Sequence, residues 1–210
     1  MSHSSSPRRS LRATGTTEQL VVAAREVFES RGYAATTVGL ITRAANTAHG
    51  TFYLYFKNKE DVFARVMAEV TADLFAHARA PWEGDLHDQL VQAIGGYLQV
   101  FGAHRGLWRC LLEGMHRSPA IEQMWLEQRR PFIDRIARDI ERNQRAGLVR
   151  PVDPILTAES LGSMVEWTTV CWIEYDEPRG HATTADELAR TLADLWYHSI
   201  AADPGAERAG

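Results

Sequence analysis

One stretch constrains this chain more than any other: Thr36 to Glu60, where two short helical segments meet at a tight turn. Thr37 can offer its hydroxyl to an orphan amide in the opening turn of the first segment. Val38, Ile41, Thr42 and Ala45 then recur at helical spacing and give it one inward face. Asn46 stands where the chain must reverse with a positive φ, which Asn tolerates better than any residue except Gly. In the second segment Phe52 and Phe56 are one turn apart and point to the core, so His49, Gly50 and Tyr53 fall together on the outward face.

That outward face carries chemistry suited to a nucleic acid. A Gly lets the backbone approach a partner closely, and a Tyr presents a flat ring with a hydroxyl tip. Gly50 and Tyr53 are therefore the expected base-edge contacts, with His49 supporting them. Thr51 and Tyr55 flank the face with hydroxyls, and Lys57 and Lys59, the two lysines of the chain, follow closely. Thr37, Thr51, Tyr55 and Lys59 are the expected phosphate ligands. The competing reading is an ordinary helical hairpin whose aromatics are all core; the joint pattern favours the helix-turn-helix.

From Thr17 to about Val66 the chain resembles the DNA-binding domain of the tetracycline-repressor (TetR) family of bacterial transcription regulators. The resemblance rests on the run Ala23 to Phe28, Arg31-Gly32-Tyr33, Thr36-Thr37-Val38, Ile41, Ala45 and, above all, Gly50-Thr51-Phe52-Tyr53-Leu54-Tyr55-Phe56 with Lys59-Glu60. Thr42 and Asn46 stand where Ala and Gly are common, and Ala48 replaces the Ser that usually caps the reading helix. Thr47 is the alternative cap.

The net charge of −4 suits a DNA binder only once it is divided along the chain. Residues 1–60 hold eight Arg or Lys against four Asp or Glu, a balance of +4, whereas residues 61–210 hold fifteen against twenty-three, a balance of −8. Positive charge is thus concentrated where the reading pair lies. Cys110 and Cys171 are too few and too far apart for a disulfide framework or a CxxC metal site, and two reduced thiols are expected. No apolar run approaches the roughly 20 residues that cross a bilayer, so no membrane association and a cytoplasmic location are expected.

Helical periodicity continues to the end of the chain, and no useful segment alternates at period two, so an all-α fold is expected. Residues 1–15, Ser-rich with Arg8, Arg9 and Arg12, read as a disordered basic arm, either without a role or following the phosphates. Thr16 with Gln19 reads as a capping box, and Leu20, Ala24, Val27 and Phe28 form the face of a helix that Gly32 stops. Asn58 and Asp61 start a long helix through about Ala80, striped by Val62, Val66, Val70 and Leu74 and ended by Pro81 and Gly84. Further helices are predicted over 85–104, 106–117, 119–146, 153–175 and 184–202, with a kink at Pro131. Asp153-Pro154 supplies a cap and first-turn pair, and Thr184 with Glu187 a capping box. The expected organisation is a helix-turn-helix DNA-binding domain over 16–60, a larger helical effector-binding and dimerisation domain over 61–203, and a tail over 204–210.

The last two helices carry broad apolar stripes: Leu156, Leu161, Val165, Thr168 and Trp172 on one, Leu188, Leu192, Leu195, Trp196 and Ser199 on the other. A stripe can serve the protomer's own core or a partner. Two-fold symmetry favours the partner, because one short reading helix makes few base contacts and paired half-sites supply the remaining affinity. The resemblance implies that these helices form a four-helix homodimer interface. Large side chains cluster after residue 100, and Phe101, Trp108, Met115, Trp125 and Trp167 are expected to wall a pocket for a small, apolar or aromatic effector. Such a ligand weakens the hold on a palindromic double-stranded operator only by preferring a state with wrongly spaced reading helices. The helix starting at Asn58 is the expected lever, and the expected activity is that of a repressor.

Two other functional classes compete with this reading. Glu113 and His116 form Glu-x-x-His, the spacing of carboxylate metal bundles, but that chemistry needs a second such pair and two further Glu. No Gly-rich phosphate loop, GxSxG elbow or HExxH is present, so no enzyme, metal or cofactor is expected. A helical adaptor that binds only proteins would explain the helices but not the outward Gly50-Thr51-Phe52-Tyr53 with both lysines behind it.

Overall fold

A computed structural model describes the backbone of residues 7–79, 85–175 and 183–202, and the side chains of 15–79, 85–172 and 183–202. Nine helices lie in the described residues: α1 Pro7–Ala35, α2 Val38–Ala44, α3 His49–Phe52, α4 Lys59–His77, α5 Leu86–Ala103, α6 Arg105–Met115, α7 Pro119–Arg145, α8 Pro154–Tyr175 and α9 Ala185–Ile200. Among these residues there is no strand, only an antiparallel bridge between Val149 and Ala201. The all-α expectation therefore holds.

Most helix starts are set by the caps that the sequence offers. Asn58 Oδ1 accepts from Asp61 N at 2.9 Å while Asp61 Oδ2 accepts from Lys57 N at 2.9 Å. Asp153 Oδ1 accepts from Leu156 N at 2.9 Å, one residue ahead of Pro154 in the first turn. Thr184 and Glu187 complete a reciprocal capping box. The first helix departs from expectation: it starts at Pro7, so residues 7–15 continue the helix and Thr16 lies inside it rather than capping it. Proline suits a first turn, where its missing N–H has no intrahelical partner to lose, and extending a nucleated helix costs far less than starting one. Gly32, at φ 79° and ψ 170°, interrupts α1 as expected. Residues 1–6, the Pro81–Gly84 stop and the tail over 204–210 lie outside the described residues. The seventh helix, α7, continues through Pro131.

The chain divides into two compact units, Met1–Val70 with His104–Leu126, and Thr71–Ala103 with Glu127–Gly210. A single boundary at residue 60 does not describe this division, because α6 packs on α1. Its small residues Gly106, Cys110 and Gly114 recur every four positions and face α1. A Cβ on Gly106 would meet Glu29 Cα at 3.5 Å, and one on Gly114 would meet the Tyr33 ring at 3.5 Å. The Cys110 thiol donates to Phe28 O at 3.2 Å; burial and nearby Glu113 and Glu29 push it up to about 12, so it stays protonated. Leu20, Ala24, Phe28, Ile41, Phe52, Val62, Phe63 and Val66 fill this unit's core without exposure.

In the second unit α5 packs along α9, and the end of α4 meets both α5 and α7. Phe75 stacks on Phe132 with ring centroids 4.2 Å apart. Arg135 donates to Phe75 O and Ala78 O, at 2.8 and 2.7 Å, tying α7 to the carbonyls that α4 leaves unpaired at its end. At Gly96 a methyl group would overlap the His77 carbonyl, whereas Gly95 faces open space. The two adjacent glycines thus predict opposite outcomes. Gly96→Ala should destabilise the protein by about 1–3 kcal/mol, the usual range for overpacking, and Gly95→Ala should be neutral or stabilising by up to ~1 kcal/mol. Denaturant melts of both variants check this; equal effects would contradict the close approach.

Candidate nucleic-acid interface and interior cavity

The reading pair is assembled by short-range hydrogen bonds. Thr37 caps α2, its Oγ1 accepting from Leu40 N at 3.3 Å. Asn46 has φ 50°, the one non-glycine residue with positive φ among the described residues, and Thr47 N donates to Thr42 O at 2.9 Å to close the turn. The next helix differs from expectation at both ends. Ala48 is its N-cap without a side-chain bond, and Thr47 Oγ1 is buried without a hydrogen-bond partner, so Thr47 does not cap. Regular α-helix lasts one turn; tighter turns from Leu54 N to Thr51 O and Tyr55 N to Phe52 O follow before Phe56 N returns to Phe52 O at 2.9 Å. The reversed capping pair at Lys57, Asn58 and Asp61 starts α4 at once and leaves no room for a longer helix.

Phe52 and Phe56 are buried as expected, and His49, Gly50 and Tyr53 are exposed. Tyr53 is 55% exposed, its ring edge-on to His49 with centroids 5.5 Å apart. Nothing lies within 4 Å of a Cβ built on Gly50. Thr51 and Tyr55 are half-buried at the flanks, and Thr37 is exposed. Lys59 is placed differently from a free phosphate ligand: its Nζ donates to Tyr33 O at 2.9 Å and lies 4.2 Å from the centroid of the Tyr33 ring.

Tyr33 proves to be the residue on which this unit converges. Its ring stacks on Phe28 at 6.0 Å and meets Phe63 edge-on at 5.2 Å. Its hydroxyl donates to Glu60 Oε1 at 3.1 Å, and burial together with Glu60 holds the phenol proton far above its ordinary range. Its backbone N–H, and that of Ala34, donate to Glu113 Oε2 at 2.9 and 3.3 Å. Glu113 therefore covers amides exposed by the Gly32 turn, and His116 Nδ1 is bonded to Leu112 O at 2.7 Å. The Glu-x-x-His pair is thus occupied by backbone groups.

The five aromatic and Met residues expected to wall a pocket are not brought together. Trp108 and Trp125 meet edge-on at 5.6 Å in the first unit, where Met115 is half-buried. Phe101 is buried against Tyr97 in the second unit, and Trp167 is 62% exposed. The second unit instead holds a partly open cavity of about 340 Å³, and none of the five lines it. Its walls are mainly aliphatic, including Leu90, Ile94, Ile136 and Ile140, closed by Phe132 and Trp196. Four charged residues line it as well: Arg79, Arg135, Asp139 and Glu166. Volume here comes from aliphatic faces that do not fully interdigitate, which residue size alone does not signal.

Two short helices joined by a tight turn, the second with an outward face, form a helix-turn-helix, the class to which the fold assigns this chain. The family model described as "Bacterial regulatory proteins, tetR family" matches residues 20–66, and that described as "Transcriptional regulator EthR, C-terminal domain" matches residues 90–202. The chain belongs to the TetR family of transcriptional regulators. It is 25% identical to the HTH-type transcriptional regulator EthR of Mycolicibacterium smegmatis, over 92% of this chain and 90% of that protein. An uncharacterised HTH-type regulator of Bacillus subtilis, YhgD, is 28% identical over 66% of this chain and 74% of its own. In fold it matches the Bacillus subtilis regulator FadR in complex with stearoyl-CoA, with TM-score 0.73, 21% identity and coverage of 87% and 98%. It also matches a regulator from Saccharomonospora viridis in complex with choline, with TM-score 0.72, 18% identity and coverage of 90% and 100%. No described helix is long and apolar enough to cross a membrane.

The convergence on Tyr33 generates a prediction. Tyr33→Phe should cost about 1 kcal/mol, the net worth of one hydrogen bond, and Glu113→Ala about 1–3 kcal/mol, because it leaves two amides without their acceptor. Chemical denaturation of both variants measures this; a Glu113→Ala protein as stable as wild type would contradict the role assigned to that carboxylate.

Proposed function

We propose that this regulator is a homodimeric repressor that holds a palindromic double-stranded operator and is released from it by a small effector bound in the cavity of the second unit. The observation that carries this reading is the outward face made by His49, Gly50 and Tyr53, which has no packing role and no side chain above Gly50. Gly50 and Tyr53 enter the groove with His49 beside them, and Thr37, Thr51 and Tyr55 face phosphates. Lys59 serves the phosphates indirectly, by holding Tyr33 and with it the start of α4.

Dimerisation is supported by apolar side chains left exposed on the last two helices: Ile155, Leu156 and Trp167 on α8 and Leu195 on α9, from 54% to 66% exposed. Their stripe partners Val165, Leu188, Leu192 and Trp196 are buried in the protomer, so the stripes divide between core and surface. Large apolar side chains left in solvent in this way mark a surface that a partner covers. An effector is supported by the cavity and by the small molecules named with the FadR and Saccharomonospora viridis structures.

Gly50→Ala separates reading from folding. The added methyl meets nothing in the protein, so stability should be unchanged or slightly raised, while affinity for DNA from the regulator's own promoter should fall. Tyr53→Ala should lose about 1–3 kcal/mol of binding and blur sequence preference, whereas Lys59→Ala should weaken all sequences alike. Fluorescence anisotropy at fixed salt measures all three; a Gly50→Ala protein with wild-type affinity would contradict the assigned face.

A further inference from the structure

We infer that the effector of this cavity carries a cationic, ammonium-type head on an apolar body, with the head seated against Glu166. The inference rests on the proposed ligand cavity and names the chemistry of its occupant.

Each of the four charged residues lining the cavity has an assignable state. Arg135 spends its two terminal nitrogens on Phe75 O and Ala78 O. Asp139 is paired with Arg142 at 2.6 Å. Arg79 is exposed. Glu166, on α8, is the more buried of the two carboxylates, with a side chain only 20% exposed, and its ion-pair partner lies outside the lining. Its partner Arg129 on α7 does not line the cavity. Arg129 Nε bonds both Glu166 oxygens at 2.8 and 2.9 Å, and its two remaining nitrogens are taken by Glu159 and by Ser163 Oγ. Of this buried pair only Glu166 lines the cavity, while the Arg129 guanidinium is held by three α8 side chains, Glu159, Ser163 and Glu166.

The charge of the cluster is also one-sided, since a single guanidinium serves two carboxylates, Glu159 and Glu166. Burial and, less, the nearby Glu159 raise the Glu166 carboxyl against the opposing pull of Arg129, so its ionised form is favoured less than in water. A cation placed on the cavity side supplies what is missing, in a setting where an ion pair is less screened than at the surface. An anionic head at the same place would face a carboxylate whose counter-charge already has its bonds made. Beyond the head, the walls from Ile94 and Phe132 to Ile140 and Ile200 suit an alkyl or aryl body.

The test uses the full-length protein at neutral pH with three probes sharing one chain: octylammonium, octan-1-ol and octanoate. Isothermal titration gives the affinities, and anisotropy of promoter DNA reports release. Octylammonium should bind at least about ten-fold more tightly than octanol, which is roughly the effect of one modest charge interaction. Octanoate should bind most weakly. Glu166→Gln should reduce the preference for ammonium over octanol to less than about three-fold and leave octanol affinity nearly unchanged. Octanoate binding as tightly as octylammonium, or a ranking unchanged in Glu166→Gln, would overturn the inference. The wild-type ranking decides the matter even if Glu166→Gln does not fold. If octanol or octanoate binds and releases DNA while octylammonium does not, the head-group inference fails and the effector-released regulator stands. If none of the three binds, both fail.

Discussion

The first unit depends on how Tyr33 is held. Its amide, carbonyl, ring and hydroxyl are each engaged, by Glu113, Lys59, Phe28 with Phe63, and Glu60 respectively. These partners belong to α1, α4 and α6, so one residue, through its backbone and side chain together, ties three helices around the turn at Gly32. A surface ion pair contributes little to stability, but a buried aromatic with satisfied polar groups is costly to displace in any direction. A short reading helix needs such support, because one turn of helix has almost no stability of its own. Phe52 and Phe56 insert into this core, and Gly50 and Tyr53 inherit their position from it.

The second unit is governed by a different constraint, the fit of glycines and aliphatic faces around an interior space. Gly96 lets α5 reach the end of α4, and Gly162 lets α8 approach Ile133 on α7. Arg135 then joins α7 to the last carbonyls of α4. The cavity is lined by Ala78 and Arg79, the two residues that follow the end of α4. A ligand that prefers one arrangement of these walls acts on α4 by the same free-energy difference with which it selects that arrangement.

Helix positions were legible in the sequence wherever a cap announces them. Thr37, Asn58, Asp153 and Thr184 each make the predicted bond, because a side-chain oxygen and an orphan amide a few residues apart are a local matter. Thr16 and Thr47 show the limit of that signal: the same residue types do not cap when a helix already runs through them or when the backbone turn places them one residue early. Partner choice was less legible. The Gly106, Cys110, Gly114 spacing on α6 marks a close helix contact, yet it carries no record of which helix approaches. The outward face at Gly50 and Tyr53 could be read because periodicity separates it from Phe52 and Phe56. The cavity could not, because Trp108, Trp125 and Met115 serve the first unit and the space lies among aliphatic residues that look like ordinary core.

Hydroxyl-radical footprinting of promoter DNA at low salt tests most directly the claim that a Gly/Tyr face is presented twice to one duplex. Two protected patches related by a dyad, with centres about 10 base pairs or a multiple apart on one face of the helix, are the expected pattern. A single asymmetric patch, or no protection at protein concentrations where the chain is dimeric, would contradict it.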